Sequence, residues 1–198
     1  NILAEPGWGI TMARLNLEEF PLEPDLLVLS HFVNDIGEGP AGDDYRQSFP
    51  QIRFEPAPEQ QWWVENFFIA NFLYYRATIF ESTDRYYDWV TNAYRDPDVW
   101  SIYQDELQAI IDTAVDYEAP LVVLVWPNLT DVEGTRNLTE PVAAFFAERG
   151  VPAINLSDYL ADANTAQLIA NPFDAHPSIY SHRIAAEQLA EVVRQLPE

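Results

Sequence analysis

The chain contains no cysteine and, among its 198 residues, one methionine, seven glycines and three histidines. Without cysteine there is no disulfide framework, no thiolate zinc site and no cysteine nucleophile, and the redox compartment is left open. Lysine is also absent: every basic residue is an arginine. Ten arginines against 32 acidic residues give a formal net charge of -22 and a pI near 4.1. Such a field repels phosphate backbones and anionic lipid surfaces, so no nucleic-acid partner is expected, nor adhesion to membranes by charge. In the aromatic segment 59–80 the longest near-uninterrupted apolar run, Phe67 to Tyr75, is about half the roughly 20 residues needed to cross a bilayer, so no integral membrane segment is expected. Repeats and low-complexity runs are missing too, which sets aside solenoids and linkers.

What is present is a globular composition, 48% hydrophobic and 14% aromatic, of a size that suits one domain over residues 1–198. Residues 25–33 and 120–126 are short apolar runs bounded by proline or Asn-Asp. They read as buried strands, with 151–156 a weaker third. The first two do not alternate polar with apolar, as expected for a parallel sheet covered on both faces. Helical patterns fall at 10–19, 59–80, 98–117, 138–149 and 178–196, the fourth with Thr139-Glu140-Pro141 read as its capped first turn. The last carries Ile184, Ala185, Leu189, Val192 and Val193 on one side. Strands alternating with helices predict an α/β three-layer fold, whose ligands gather at the carboxyl ends of the strands. Roughly 85 residues separate the first two strands, more than a crossover needs. Residues 36–118 therefore read as a helical, aromatic-rich insertion. Its segment 59–80 is either a helix packed on the sheet or a wall over a site.

The histidines are few enough to weigh singly. His31 lies inside the first strand and reads as a hydrogen-bonded core residue. His182, on the first turns of the last helix, reads as a packing or anchoring residue. His176 follows Asn171-Pro172-Phe173, read as a loop, and precedes that helix. Asp174 stands two residues before it. An imidazole is a useful general base when an acceptor holds its other ring nitrogen, and Asp174 can do so, although a capping Asp beside a surface His has the same pattern. The Pro6-Gly7-Trp8-Gly9 turn opening a helix offers main-chain N–H groups, and Asn34 after the first strand offers a side-chain amide. Each suits an oxyanion hole, and each also suits a turn or a cap.

In chain order, Pro-Gly-Trp-Gly (6–9), Pro-Asp-Leu-Leu-Val-Leu-Ser-His-Phe-Val-Asn-Asp (24–35), Pro-Leu-Val-Val-Leu-Val-Trp-Pro (120–127) and Asp-Ala-His-Pro-Ser-Ile-Tyr-Ser-His-Arg-Ile-Ala-Ala-Glu (174–187) resemble the SGNH/GDSL hydrolase family from its second conserved block onward. The resemblance implies a three-layer, flavodoxin-like α/β/α fold with a parallel sheet. It implies an oxyanion hole from Gly7 and Asn34, with His176 as general base and Asp174 orienting it. Phe32 stands where the family usually has Gly, and Asp-x-His is tighter than the commoner Asp-x-x-His. No Gly-Asp-Ser precedes Gly7, so the chain is expected to lack the N-terminal strands of such a domain together with the nucleophilic Ser.

The expected activity is a serine ester hydrolase without cofactor or metal, acting on a small-molecule acyl or O-acetyl ester, with the chain as given inactive. The alternatives are a non-catalytic binding domain and an O-acyltransferase on the same scaffold. The oligomeric state is not readable. Acidity and the sequons at Asn128, Asn137 and Asn155 tilt the location toward secreted or periplasmic, although chance matches account for sequons equally well.

Overall fold

The computed structural model describes residues 9–38, 58–172 and 174–196. Helix α1, Ile10–Glu18, opens directly after Gly9 and buries Ile10 and Leu17. Strand β1, Leu27–Phe32, follows, and a 3-10 turn, Asp35–Glu38, closes it. Next come three helices, α2 (Pro58–Asn66), α3 (Phe68–Arg95) and α4 (Pro97–Asp116). The long helical pattern at 59–80 is thus two helices, broken at Phe67, whose extended backbone ends one and starts the next. Asp96 separates α3 from α4. Its carboxylate accepts from the backbone N–H groups of Asp98 and Val99, and Pro97 occupies the first turn where no N–H is needed.

Strand β2, Leu121–Trp126, is buried along its whole length. Helix α5, Arg136–Ala147, begins earlier than the sequence suggests, so Pro141 lies inside it instead of in its first turn. Thr139 is not a cap. It is fully buried, and its hydroxyl bonds the Arg136 carbonyl and the Ser157 hydroxyl. Strand β3, Ala153–Asn155, is followed by two short helices, α6 (Ser157–Leu160) and α7 (Thr165–Leu168). Then come strands β4 (Ile169–Asn171) and β5 (Asp174–Pro177), and the terminal helix α8, Ile179–Val193.

The main sheet is parallel, in the order β1-β2-β3, with Leu27 opposite Leu121 and Val123 opposite Ala153. The protein is mixed α/β, mostly helical, around this small sheet. Alternation along β2 divides the core in two. Leu121, Val123 and Val125 face a cluster with Trp89, Val90, Tyr103, Leu107, Phe145 and Phe146, supplied by α3, α4 and α5. Val122, Leu124 and Trp126 face Leu156, Leu160, Leu168 and Ala185, supplied by β3 and its following turn, α6, α7 and α8. Both faces of β2 are therefore covered, the reason it reads as an uninterrupted apolar run. Strand β1 departs from the same expectation: among the described residues it pairs with β2 alone, and its burial alternates, with Val28 and Ser30 exposed. Four residues of the predicted stripe on α8 share one cluster, Ile184, Leu189 and Val192 packing against that of Ala185; Val193 is not part of it.

Close packing also fixes the turn after β1. A Cβ on Gly37 would fall 2.2 Å from the Trp89 ring, so only glycine lets the 3-10 turn lie on that indole. Arg14 ties α1 to α4 by donating from Nε to Glu106 at 2.8 Å, and it reaches Glu18 on its own helix at 2.6 Å. Of the sequons, Asn128 is buried and its side chain accepts from Thr130, which removes it as an acceptor in the folded chain. Asn155 caps Ser157, and Asn137 is exposed on α5.

Candidate active site

Asp174 and His176 lie on a strand, not in the loop expected from Asn171-Pro172. Strand β5 pairs antiparallel with β4, with Asn171 opposite Asp174 and Ile169 opposite Pro177. An extended strand puts residues i and i+2 on one face. The Asp-x-His spacing therefore brings both side chains together without a longer turn. Asp174 Oδ1 lies 2.5 Å from His176 Nδ1 and also accepts from the His176 backbone N–H at 3.1 Å.

A carboxylate has only acceptors, so Nδ1 must be the protonated nitrogen, and the neutral ring then carries its lone pair on Nε2. The hydrogen bonds from His176 hold the Asp174 carboxyl below its ordinary value. The His176 side chain is 86% exposed, so Nε2 is open to a reacting partner.

The hairpin is anchored to the next helix. Ser178 caps α8 by accepting from the Ser181 N–H, its own N–H donates to the Leu168 carbonyl at 2.8 Å, and its hydroxyl bonds the Gln167 carbonyl. Ser181, fully buried, donates to the same Leu168 carbonyl at 2.7 Å. The start of α8 is placed in turn by His182. Its ring meets Trp126, the last residue of β2, edge-on at 5.7 Å, and Trp126 stacks on Phe32, the last residue of β1, at 5.5 Å. This row sets the beginning of α8 at the carboxyl end of the sheet. It also gives Phe32, the departure from the family's usual Gly, a packing role. The sequence signal for the row was an aromatic residue at the final position of β1 and of β2.

Asn34 occupies the turn immediately after β1, at that same end. Its carbonyl accepts from the Gly37 N–H at 3.1 Å, while Asp35 caps the turn by accepting from the Phe32 N–H at 2.9 Å. Among the described residues no hydrogen bond joins Asn34 to Asp174 or His176. Gly7 lies outside the described residues. The structure thus joins Asp174 with His176 and sets Asn34 at the end of the sheet from which α8 departs.

His31 is a core residue, as the sequence indicates. It is fully buried, its Nε2 lies 2.6 Å from the Tyr103 hydroxyl, and its Nδ1 has no hydrogen-bond partner. Burial lowers its pKa to about 3, so the ring is neutral. An open cleft of about 500 Å³ lies at the other end of the sheet, where α4 leads toward β2. It is lined by Glu18, Asp112, Thr113, Asp116 and Tyr117, and it contains neither Asp174 nor His176. Among the described residues no cluster of three or more His, Asp or Glu has metal-ligand geometry, and no helix is long and apolar enough to cross a membrane. No protein-family model, curated protein or solved structure matches the chain.

Proposed function

We propose that this chain is the greater part of an SGNH/GDSL-type ester hydrolase, in a flavodoxin-like three-layer domain whose nucleophilic Ser lies upstream of residue 1. The observation that carries the reading is the Asp174–His176 pair, a carboxylate fixing the Nδ1–H tautomer while Nε2 stands open. In this scheme Nε2 removes the proton from the Ser hydroxyl as it attacks the ester carbonyl. The imidazolium, stabilised by Asp174, then returns that proton to the departing alkoxide. Water attacks the resulting acyl-enzyme with the same base, releasing the acid and the Ser. Asn34 and Gly7 supply donors to the tetrahedral oxyanion.

The open edge of β1 supports the reading. Among the described residues β1 pairs only with β2, and it exposes Val28 and Ser30, leaving one side on which an upstream strand bearing the Ser fits. The test uses the full-length protein with an alkyl fluorophosphonate, which labels activated serines. A single labelled Ser upstream of Asn1, with labelling abolished in His176→Ala, is the expected result. No label, together with no hydrolysis of p-nitrophenyl acetate, leaves the non-catalytic binding domain as the correct reading.

A further inference from the structure

Eight large apolar side chains stand exposed on one helical arm. Trp62 and Trp63 on α2, Phe67 at the break, and Phe68, Ile69, Phe72, Leu73 and Tyr75 on the first two turns of α3 are all at least 36% exposed, with Phe68 at 84%. Among the described residues, α3 enters the core through its far part, at Trp89, Val90 and Ala93. At 1.5 Å per residue the 28-residue helix is about 42 Å long, so its first turns lie well away from those core residues.

The arm is ordered within itself. Val64 is buried, Asn71 donates from its side chain to the Val64 carbonyl at 3.2 Å, and Trp63 stacks on Phe67 at 5.1 Å. With large aromatics contributing about 150–250 Å² each, the exposed apolar area is on the order of 900 Å². That exceeds the few hundred Å² that an ordinary monomer leaves bare, and it matches one side of a standard interface. Area alone therefore admits a lipid surface or a second copy of the chain.

Charge separates them. Between Arg53 and Arg76 the sequence has no cation and three carboxylates, Glu55, Glu59 and Glu65, on a chain of formal charge -22. A two-fold pairing would bring two strongly acidic bodies together. An anionic bilayer meets the same repulsion. A zwitterionic bilayer carries no net charge to oppose the arm, and Trp and Tyr are the residues that settle at the headgroup level. We infer that the α2–α3 arm docks on the surface of a zwitterionic lipid bilayer, lying in the interface without spanning it. This inference does not depend on the hydrolase reading.

The test is co-sedimentation of the chain with phosphatidylcholine vesicles, with tryptophan quenching by brominated lipid as a second readout. Trp89 and Trp126 are buried and Trp100 packs against the core, and comparison with Trp62→Phe, Trp63→Phe isolates the quenching that comes from the arm. Wild type is expected to partition onto these vesicles and to partition less onto phosphatidylglycerol vesicles at low salt. The triple variant Trp62→Ser, Phe68→Ser, Phe72→Ser is expected to lose at least roughly tenfold in partitioning, because its apolar area no longer enters the interface. Val115→Ser with Ile179→Ser, exposed apolar positions elsewhere, is expected to match wild type, and unchanged circular dichroism shows that all variants fold. Absence of wild-type partitioning, equal loss in both variants, or tighter binding to phosphatidylglycerol overturns the inference. So does a dimer in sedimentation velocity that the triple variant dissociates while vesicles bind neither form.

Discussion

The Nε2 of His31 lies 2.6 Å from the hydroxyl of Tyr103, a buried hydrogen bond that fastens β1 to α4 beneath the turn carrying Asn34. Both groups are desolvated, so removing one partner leaves the other without a water to replace it. Tyr103→Phe is expected to destabilise the fold by about 1–3 kcal/mol in urea unfolding.

His31 also makes the protein acid-sensitive. Its folded pKa of about 3 lies below the ordinary 6.5 because burial opposes the charged form. Between those values the unfolded chain binds a proton that the folded chain does not, so stability falls as pH drops through this window and is unaffected above it. His31→Leu removes that dependence. The stability difference between wild type and variant is expected to shift toward the variant, by up to a few kcal/mol, between about pH 7 and pH 4. Parallel acid limbs for the two proteins would contradict a neutral buried ring.

The Asp174 carboxyl is expected to titrate below its ordinary 3.8, because His176 donates to it from both ring and backbone. A depressed carboxyl contributes stability above its unfolded value and loses it as pH falls through the folded one. Solvent screens this exposed pair, so the carboxyl chemical shift is the better readout than the unfolding energy. His176→Ala should move the midpoint back toward 3.8. In the full-length protein, His176→Ala and Asp174→Asn are each expected to lower p-nitrophenyl ester hydrolysis by about 10³–10⁴-fold. His182→Ala, which removes only an edge contact on Trp126, should stay within roughly tenfold. Equal losses at His176 and His182 would contradict these roles.

Gly37→Ala is expected to cost about 1–3 kcal/mol through overpacking, since the new methyl meets the Trp89 ring at 2.2 Å. The indole is itself nearly buried in the core, so relief requires moving the 3-10 turn. A neutral substitution in thermal unfolding would show that this turn repositions freely.

The core gives a further check. Phe146→Ala empties a fully buried position between α5 and the sheet and is expected to destabilise by about 3–5 kcal/mol.

Much of this architecture is written locally. The run that becomes β2 is apolar at successive positions because both sheet faces are covered there, and Asp96-Pro97 announces the start of α4 through groups that act within one turn. Asp174 and His176 are equally local, since two residues on one strand need only extended backbone to meet. Other features depend on partners distant in the chain. Thr139-Glu140-Pro141 looks like a helix start, yet Thr139 is held inside α5 by Ser157, a contact between segments 18 residues apart. The β4–β5 pairing that extends Asp174 and His176 was hidden by Asn171-Pro172, which reads as a loop, because strands this short carry no periodicity. The sequence by itself determined an acidic α/β chain with two apolar strand-forming runs, of which β2 alone is buried on both faces, and an Asp-x-His pair before its last helix. Only tertiary structure decided that His31 is sealed against Tyr103, that Phe32, Trp126 and His182 align at the carboxyl end of the sheet, and that the aromatic arm faces outward. Burial is a property of what packs against a residue, and an apolar pattern alone is the same whether its partner is the core or something outside it.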